Sequence, residues 1–176
     1  RCIEIRCQSQ ACRLSLKALF GQAVYDKSSL NYSCIPQKVS SVDSAITEDC
    51  RFLFVGTQFE IKGGESLLKA FRRVHEKMPS AQLDIVTHLP TEYTDLVNGC
   101  AGINVHKAKY TRDEIHEKFM SKADVLVLPT YAESFSMVAR EGLSHGLALI
   151  VTDVYGLSEM VEDGRNGYLI QPPISV

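Results

Sequence analysis

The stretch ADVLVLPTYAESFSMVAREGLSHGLALIVTD, residues 123–153, decides the fold. It opens with an apolar run, 123–129, without the alternation of apolar and polar residues, which is typical of a strand covered on both faces. The segment 134–146 has the pattern of a helix and ends at Gly146, a residue suited to a helix C-terminus. A second apolar run without alternation follows at 147–153. Strand, helix and strand joined by short loops predict a parallel βαβ unit.

The same succession of strands and helices continues on both sides of this stretch. Apolar runs predict strands at 51–56, 81–87, 102–107 and 167–170. Helical periodicity predicts helices at 64–78, 91–99, 111–122 and 157–163. Pro79 ends the first of these helices, and Thr111 with Glu114 forms a capping-box signature at the start of the third. Right-handed crossovers between such units build an α/β fold, a doubly wound parallel sheet of the Rossmann-like type.

Residues 1–50 do not follow this succession. The segment 11–21 predicts a helix, and 32–39 predicts a strand that runs into a polar linker. The sequence does not begin with Met, and we expect it to be a piece of a longer protein. We therefore divide it into 1–39, the end of a preceding N-terminal domain with its hinge, and 40–176, a Rossmann-like domain.

Composition and charge exclude several classes of protein. The formal net charge is −2, which argues against a nucleic-acid-coating protein. No apolar run approaches the roughly 20 residues of a membrane span. We therefore expect no nucleic-acid partner and no membrane segment in this chain.

Six cysteines raise the question of a metal site or disulfides. The sequence contains no C-x-x-C pair, and no histidines stand beside the cysteines at zinc-ligand spacing. A chain of this size does not need disulfides to fold, so we interpret the cysteines as free thiols in a reducing compartment. The even spacing of Cys2, Cys7 and Cys12 leaves open that this trio binds a ligand.

The loop after the 51–56 strand has features of an anion site. Gly56 allows a sharp turn, and Gly63 and Gly64 lead into a helix whose free N–H groups favour an anion. Lys62 adds a positive charge that suits a phosphate. A solvated lysine in a glycine-rich turn explains the loop equally well, because it matches neither the dinucleotide-binding nor the Walker pattern.

Two acids flank the start of the 134–146 helix. Glu133 stands just before it, together with the hydroxyls of Ser134 and Ser136 and the backbone amides of Ser134 and Phe135. Glu141 follows eight residues later, a little over two helical turns, and we expect it to face the same crevice. Each acid also has an ordinary explanation, since an acid at a helix start gains roughly 0.3–1 kcal/mol from the dipole and exposed helical Glu is common.

The third loop at this edge, 152–170, contains Asp153, Gly156 and Glu159 and the turn sequence DGRNG. We interpret most of it as ordinary turn chemistry.

Taken together, these loops resemble the C-terminal, nucleotide-sugar-binding half of a GT-B glycosyltransferase of the retaining group 1 family, also called family 4. FVGTQFEIKGGESLLKAF (54–71) is similar to the family's strand, loop and helix with a KG pair. The stretch 123–153 carries the family's E-x7-E signature with its ESF element, and VYGLSEMVEDGRNGYLI (154–170) matches its closing segment. Residues 9–39 are similar to the last helix and strand of the family's N-terminal domain.

The resemblance implies a role for each matched residue. Lys62 neutralises the donor diphosphate, whose charge grows in the transition state, and Glu133 accepts hydrogen bonds from the donor sugar. These two are the expected catalytic residues. Glu141 binds the ribose hydroxyls, for which a carboxylate is a double acceptor. The expected donor-binding set is Gly56, Thr57, Lys62, Ser134, Phe135, Ser136 and Glu141.

The implied reaction passes a sugar from a nucleotide diphosphate to an acceptor hydroxyl with retention of configuration, in polysaccharide or glycoconjugate synthesis. The donor is a substrate, and neither a cofactor nor a metal is implied. The implied partner is the missing N-terminal, acceptor-binding domain. The implied location is the cytoplasm, with a link to the inner face of a membrane through that missing half.

Three departures from the family pattern bear on the activity of the chain and leave the predicted fold unchanged. Thr57 replaces an Arg that pairs with the lysine at the diphosphate, which removes a charge-assisted contact. Leu157 replaces the second glycine of a Gly-Gly pair and is expected to crowd the phosphate region. His88 and Leu89 follow the second strand where a glycine is usual, and we interpret His88 as a loop residue.

Three alternatives stay open. The chain is a nucleotide-sugar-binding module with little activity of its own, a GT-B-like sugar-nucleotide epimerase, or a degenerate homologue with a structural role. The pairing of the ESF element with Glu141 disfavours the epimerase.

Overall fold

The computed structural model describes residues 3–38 and 49–172. Its strands form two separate parallel sheets. A two-stranded sheet pairs β1 (Ile5–Cys7) with β2 (Ser28–Leu30). The main sheet has six strands: β3 (Arg51–Val55), β4 (Gln82–Thr87), β5 (Ile103–Lys107), β6 (Val125–Leu128), β7 (Ala148–Thr152) and β8 (Gly167–Ile170). Their order is β5-β4-β3-β6-β7-β8, and every neighbouring pair is parallel. The predicted α/β fold with a doubly wound parallel sheet is confirmed.

Helices connect the strands within both sheets. The α-helices are α1 (Gln10–Phe20), α2 (Gln22–Tyr25), α3 (Gly64–Lys77), α4 (Thr94–Asn98), α5 (Arg112–Ile115) and α6 (Met137–Ser144). One π turn, His116–Met120, continues α5. Single 3-10 turns lie at Thr91–Tyr93 and Tyr155–Leu157. Among the described residues, no helix is both long and apolar enough to span a membrane.

Burial explains why the strands lack alternation. Leu126 of β6 and Leu149 and Val151 of β7 have no exposed surface. The apolar face of α3 is buried as well, with Leu68 and Phe71 in the same hydrophobic core. A strand covered on both faces needs apolar residues at consecutive positions, which is the pattern in the sequence.

Three helix ends follow the local signals that predict them. Thr111 Oγ1 accepts from Glu114 N at 3.3 Å, and the Glu114 carboxylate accepts from Thr111 N at 2.9 Å, which completes the capping box. Gly146 follows α6 with φ of 79°. Helix α3 stops at Lys77, two residues before Pro79. All three predictions are confirmed.

One predicted helix boundary and one predicted helix are wrong, for reasons of side-chain hydrogen bonding. Helix α6 begins at Met137 instead of residue 134, because the Ser136 side chain accepts from Ala139 N at 3.2 Å and caps the helix there. The helix predicted at 157–163 is absent from this described segment. Asn166 binds its backbone instead, accepting from Glu162 N at 2.8 Å and donating to Met160 O at 3.0 Å.

The strand predicted at 32–39 is wrong over its described residues, 32–38. The ladder ends one residue earlier, where Asn31 N donates to Cys7 O at 2.8 Å. Beyond it the chain is held by the α6 region instead: Arg140 donates to Ser33 O and Lys38 N donates to Ser144 O, both at 2.8 Å. Most of the loop predicted before residue 51 lies outside the described residues, and the division at residue 39 stays a prediction.

Five of the six cysteines lie in the described part of the chain, and these five are free. Cys7 and Cys100 are buried, and Cys12 and Cys34 are exposed. Cys2 lies outside the described residues, so a role for the trio of Cys2, Cys7 and Cys12 stays open.

Gly63 brings two loops of the carboxyl edge into contact. Its φ is 75°, in the left-handed region that favours glycine. A β-carbon at this position would lie 2.0 Å from the carbonyl oxygen of Pro129, which follows β6. The loop after β3 therefore packs directly on the backbone after β6.

We expect Gly63→Ala to destabilise the fold far more than Gly164→Ala. Gly164 has the same kind of φ, 76°, but no atom lies within 4 Å of the place that its β-carbon would take. Both variants incur the left-handed cost of roughly 1–2 kcal/mol, and only Gly63→Ala adds a steric cost of roughly 1–3 kcal/mol. Urea unfolding of both variants measures the difference, and equal midpoints would contradict the close approach.

Candidate active site

A cavity of about 580 Å³ opens at the carboxyl edge of the sheet. It lies beyond the ends of β3 and β6, the two central strands, where the strand order reverses direction. Such a switch point is the usual ligand position in an open parallel sheet. The lining residues that the sequence predicts are Gly56, Thr57, Lys62, Glu133, Ser134, Phe135 and Ser136. The structure therefore brings seven of the eight predicted residues together.

The two expected catalytic residues form an ion pair inside this cavity. Lys62 Nζ donates to Glu133 Oε2 at 2.7 Å. The side chains are only 22% and 17% exposed, so water screens the pair less than it would at the surface. A positive charge for an anion and an acceptor for hydroxyl groups are thus held side by side.

Backbone contacts between the two loops place this ion pair. The Ile61 carbonyl accepts from Tyr131 N at 2.9 Å and from Thr130 Oγ1 at 3.1 Å. Thr130 O in turn accepts from Thr152 Oγ1 at 2.8 Å, which ties the same loop to β7. Lys62 therefore projects from a loop that is hydrogen-bonded to the loop carrying Glu133.

Gly56 has a more specific role than a sharp turn. A β-carbon here would lie 3.2 Å from Lys62 Cγ, so the absence of a side chain leaves room for the lysine stem. Its carbonyl accepts from Thr87 Oγ1 at 2.6 Å and its N–H donates to Val86 O at 3.1 Å. The floor of the cavity is thereby tied to β4.

The three residues between Glu133 and α6 differ in burial and in hydrogen bonding. Ser134 is exposed, and its N–H donates to the Glu133 carboxylate at 3.1 Å. Ser136 is buried, with its hydroxyl engaged in capping α6. Phe135 is 8% exposed and forms one wall of the cavity. Of the two hydroxyls, only that of Ser134 lies at the surface.

Glu141 does not line the cavity, contrary to the expectation that it faces the same crevice. It is 5% exposed, and its Oε1 lies 2.5 Å from Arg112 Nε. Its Oε2 lies 3.6 Å from His116 Nε2. The physical reason is the late start of α6, which places Glu141 one turn beyond the wall residues Met137 and Val138.

Several residues of this region were not predicted from the sequence. Tyr110 and Ala108, after β5, line the cavity and follow the same rule of carboxyl strand ends that identified the other loops. Gln8 reaches the wall from the N-terminal part of the chain. Arg112 and His116 meet Glu141 only through the tertiary fold.

The remaining departures from the family pattern lie away from the cavity. Leu157 is fully buried in the core and is not among the residues that line the cavity, and crowding of the phosphate region stays a prediction. His88 is exposed and lies outside the strands and helices, which confirms its interpretation as a loop residue. Within the described residues, no three His, Cys, Asp or Glu side chains are grouped as metal ligands, and the expectation of a metal-free site stays a prediction.

Comparison with known proteins identifies the family. Residues 49–175 match the family model described as glycosyl transferases group 1. The chain is 33% identical over 127 residues to a D-inositol 3-phosphate glycosyltransferase of Arthrobacter sp. strain FB24, covering 67% of this chain and 30% of that protein. It is 28% identical over 142 residues to the protein of the same name from Paenarthrobacter aurescens, covering 76% of this chain and 35% of that protein. The chain thus spans about a third of the length of these relatives.

Solved structures show the same fold. The Anabaena protein HepE, in complex with UDP and glucose, superposes with a TM-score of 0.72 at 18% identity over 97% of this chain and 50% of that one. Sucrose-phosphate synthase from Thermosynechococcus elongatus superposes with a TM-score of 0.75 at 24% identity over 96% of this chain and 45% of that one. The chain belongs to the glycosyl transferases group 1 family and carries the C-terminal domain of its GT-B fold.

We expect Arg112→Ala to lower the free energy of unfolding because it leaves a buried carboxylate without its cation. Leaving a buried polar group without its partner costs roughly 1–3 kcal/mol, and a loss in this range is expected. The double variant Arg112→Ala, Glu141→Gln should recover part of it, since the amide carries no charge. Chemical denaturation of both variants provides the measurement.

Lys69→Ala is the matched control for this prediction. Lys69 and Glu65 form an ion pair whose side chains are 62% and 46% exposed. Exposed pairs of this kind contribute roughly 0.3–0.5 kcal/mol. An Arg112→Ala loss no larger than that of the control would contradict the assignment of Arg112 as the partner of Glu141.

Proposed function

We propose that this chain is the donor-binding half of a retaining glycosyltransferase. The observation that carries the proposal is the Lys62–Glu133 pair, a cation and a hydroxyl acceptor 2.7 Å apart at the switch point of the sheet. The cavity around it, about 580 Å³, is within the size range of nucleotide-sized ligand sites. The names of the curated relatives support a glycosyltransferase.

Each residue has a chemical task in this proposal. Lys62 leaves Glu133 and binds the donor diphosphate, and Glu133 then accepts hydrogen bonds from the donor sugar. The amides of Ser134, Phe135 and Ser136 face the phosphates, and Gly56 and Thr57 form the floor beneath them. Glu141 does not line the cavity, and we assign it no contact with the donor.

The proposed reaction balances without a metal or a redox cofactor. The bond between the anomeric carbon and the diphosphate oxygen breaks, and its electron pair goes to the diphosphate, whose charge Lys62 stabilises. The acceptor oxygen bonds to the same face of the anomeric carbon through an oxocarbenium-like transition state. The acceptor proton passes to the departing diphosphate. Configuration is retained because attack and departure share one face.

The partners and setting of the whole protein follow from the same proposal. The acceptor site belongs to an N-terminal domain that closes over the cavity. The acceptor is a hydroxyl of a polysaccharide or glycoconjugate precursor, and the names of the curated relatives extend this class to inositol phosphate. We place the reaction in the cytoplasm, where nucleotide sugars are its substrates, with the N-terminal half as a link to the membrane.

Nucleoside diphosphates should raise the melting temperature of the chain. A ligand that binds only the folded state stabilises it by about 2.7 kcal/mol at a hundred times its dissociation constant. For a chain of this size, about 5–10 °C is the corresponding shift. A thermal-shift panel of UDP, GDP and their sugar conjugates measures it. No shift with any of them at millimolar concentration would support the degenerate homologue instead.

Glu133→Gln and Lys62→Ala should separate the two proposed tasks. Glu133→Gln removes the acceptor charge that meets the sugar and also releases Lys62, so the affinity for UDP-sugar should fall relative to that for UDP. Lys62→Ala should lower the affinity for UDP relative to uridine, by roughly tenfold for one charge-assisted contact. Isothermal titration provides both ratios, with Glu65→Gln as the control outside the cavity. Unchanged ratios in both variants would contradict the roles assigned to the pair.

A further inference from the structure

The N-terminal unit, residues 3–38, is held to the rest of the chain by few buried apolar groups. All of α1 lies in the described part of the chain, and none of its residues is fully buried. Leu19 and Phe20 are 74% and 63% exposed. Hydrophobic burial therefore contributes little to the attachment, and specific polar contacts must position the unit.

Glu159 makes three such contacts. Its carboxylate accepts from Gln10 N at 2.8 Å and from Ala11 N at 2.9 Å, the first two N–H groups of α1. It also accepts from the Tyr32 hydroxyl at 2.8 Å. These partners lie 127 to 149 residues away in the sequence.

The contacts complete the N-terminus of α1. The Ser9 side chain accepts from Cys12 N at 3.0 Å, so Ser9 and Glu159 together bind three consecutive N–H groups. Helix α1, Gln10–Phe20, contains no acidic residue of its own. Glu159 is therefore the negative charge that meets the positive end of its dipole.

The protonation of Glu159 agrees with this arrangement. Burial by itself raises the pKa of Glu159, but the hydrogen bonds from Gln10, Ala11 and Tyr32 outweigh it and hold the pKa below its ordinary value. The hydrogen bond between Tyr32 and Glu159 raises the pKa of the Tyr32 hydroxyl. The carboxylate is ionised at neutral pH and is a strong acceptor.

The junction continues into the cavity wall through Phe135. The Tyr32 ring centroid lies 5.8 Å from that of Phe135, and the Arg140 guanidinium lies over Phe135 at 4.8 Å while donating to Ser33 O at 2.8 Å. A β-carbon on Gly156 would lie 2.6 Å from Phe135 and 2.9 Å from Ser9 Cβ. The loop 133–136 thus packs against the N-terminal unit.

We infer that Glu159 is a positioning residue that fastens the N-terminal unit to the loop 133–136, so that Gln8 becomes part of the cavity wall and ligand binding is coupled to docking of α1. The coupling to a nucleotide ligand rests on the proposed function, whereas the mechanical link between α1 and the loop does not. Glu159 touches no ligand in this scheme and acts through α1, Tyr32 and Phe135.

Hydrogen exchange of the free chain tests the mechanical link. Glu159→Ala should speed exchange about tenfold in the peptide that covers the start of α1 and also in the peptide 130–139, because three charge-assisted hydrogen bonds are lost. Tyr32→Phe removes one of the three and should give a smaller change in both peptides. Glu162→Gln is the control, since the Glu162 side chain pairs with Arg165 at the surface, outside both peptides. Faster exchange in α1 with an unchanged 130–139 peptide, or no change in either, overturns the inference.

Nucleotide titration tests the coupling to the ligand. Because coupling is reciprocal, UDP should slow α1 exchange in the parent chain, and Glu159→Ala should bind UDP about fivefold to tenfold more weakly. Gln8→Ala should weaken the binding of UDP and leave the hydrogen exchange of α1 unchanged. Equal UDP affinity in Glu159→Ala and the parent overturns the coupling. A parent chain that binds no nucleotide contradicts the proposed function, and the exchange of the 130–139 peptide then decides the mechanical link by itself.

Discussion

The contact on which the site depends is that of Gly63 with the backbone of Pro129. No side chain fits between the two, since a β-carbon would lie 2.0 Å from the Pro129 carbonyl oxygen. Because the loops touch there, Ile61 O can accept from both Thr130 and Tyr131. The same approach lets Lys62, next to Gly63, reach Glu133 across the gap between β3 and β6. An ion pair between residues 71 apart in sequence thus follows from one backbone contact.

The two acids of the E-x7-E pattern occupy different environments, although their spacing is that of two helical turns. Glu133 lies in a loop and lines the cavity, whereas Glu141 lies in the first turns of α6, buried against Arg112 and His116. The spacing argument assumes a helix that begins directly after Glu133. Ser136 delays the start of α6, and this delay separates the two carboxylates. Each acid already has a basic partner in the protein itself.

How far the sequence predicts the structure depends on how local each determinant is. The central strands of the main sheet are predictable because burial on both faces requires consecutive apolar residues, as in β6 and β7. Lys62 and Glu133 are predictable as neighbours because both follow central strands. The short strands β1 and β2 and the loss of the helix at 157–163 depend on partners such as Cys7 with Asn31 and Asn166 with Glu162. The contacts of Glu159 and Arg112 join distant segments and have no local signal.

The paired state of Lys62 has a consequence for competition by inorganic anions. A free phosphate ion that bound Lys62 would leave Glu133, a carboxylate only 17% exposed, without a counter-ion. A ligand that carries hydroxyl donors beside its phosphates supplies replacement partners for both side chains at once. Under the proposed function, Glu133 therefore disfavours the binding of small inorganic anions, and the cavity favours molecules in which a sugar and a phosphate are joined.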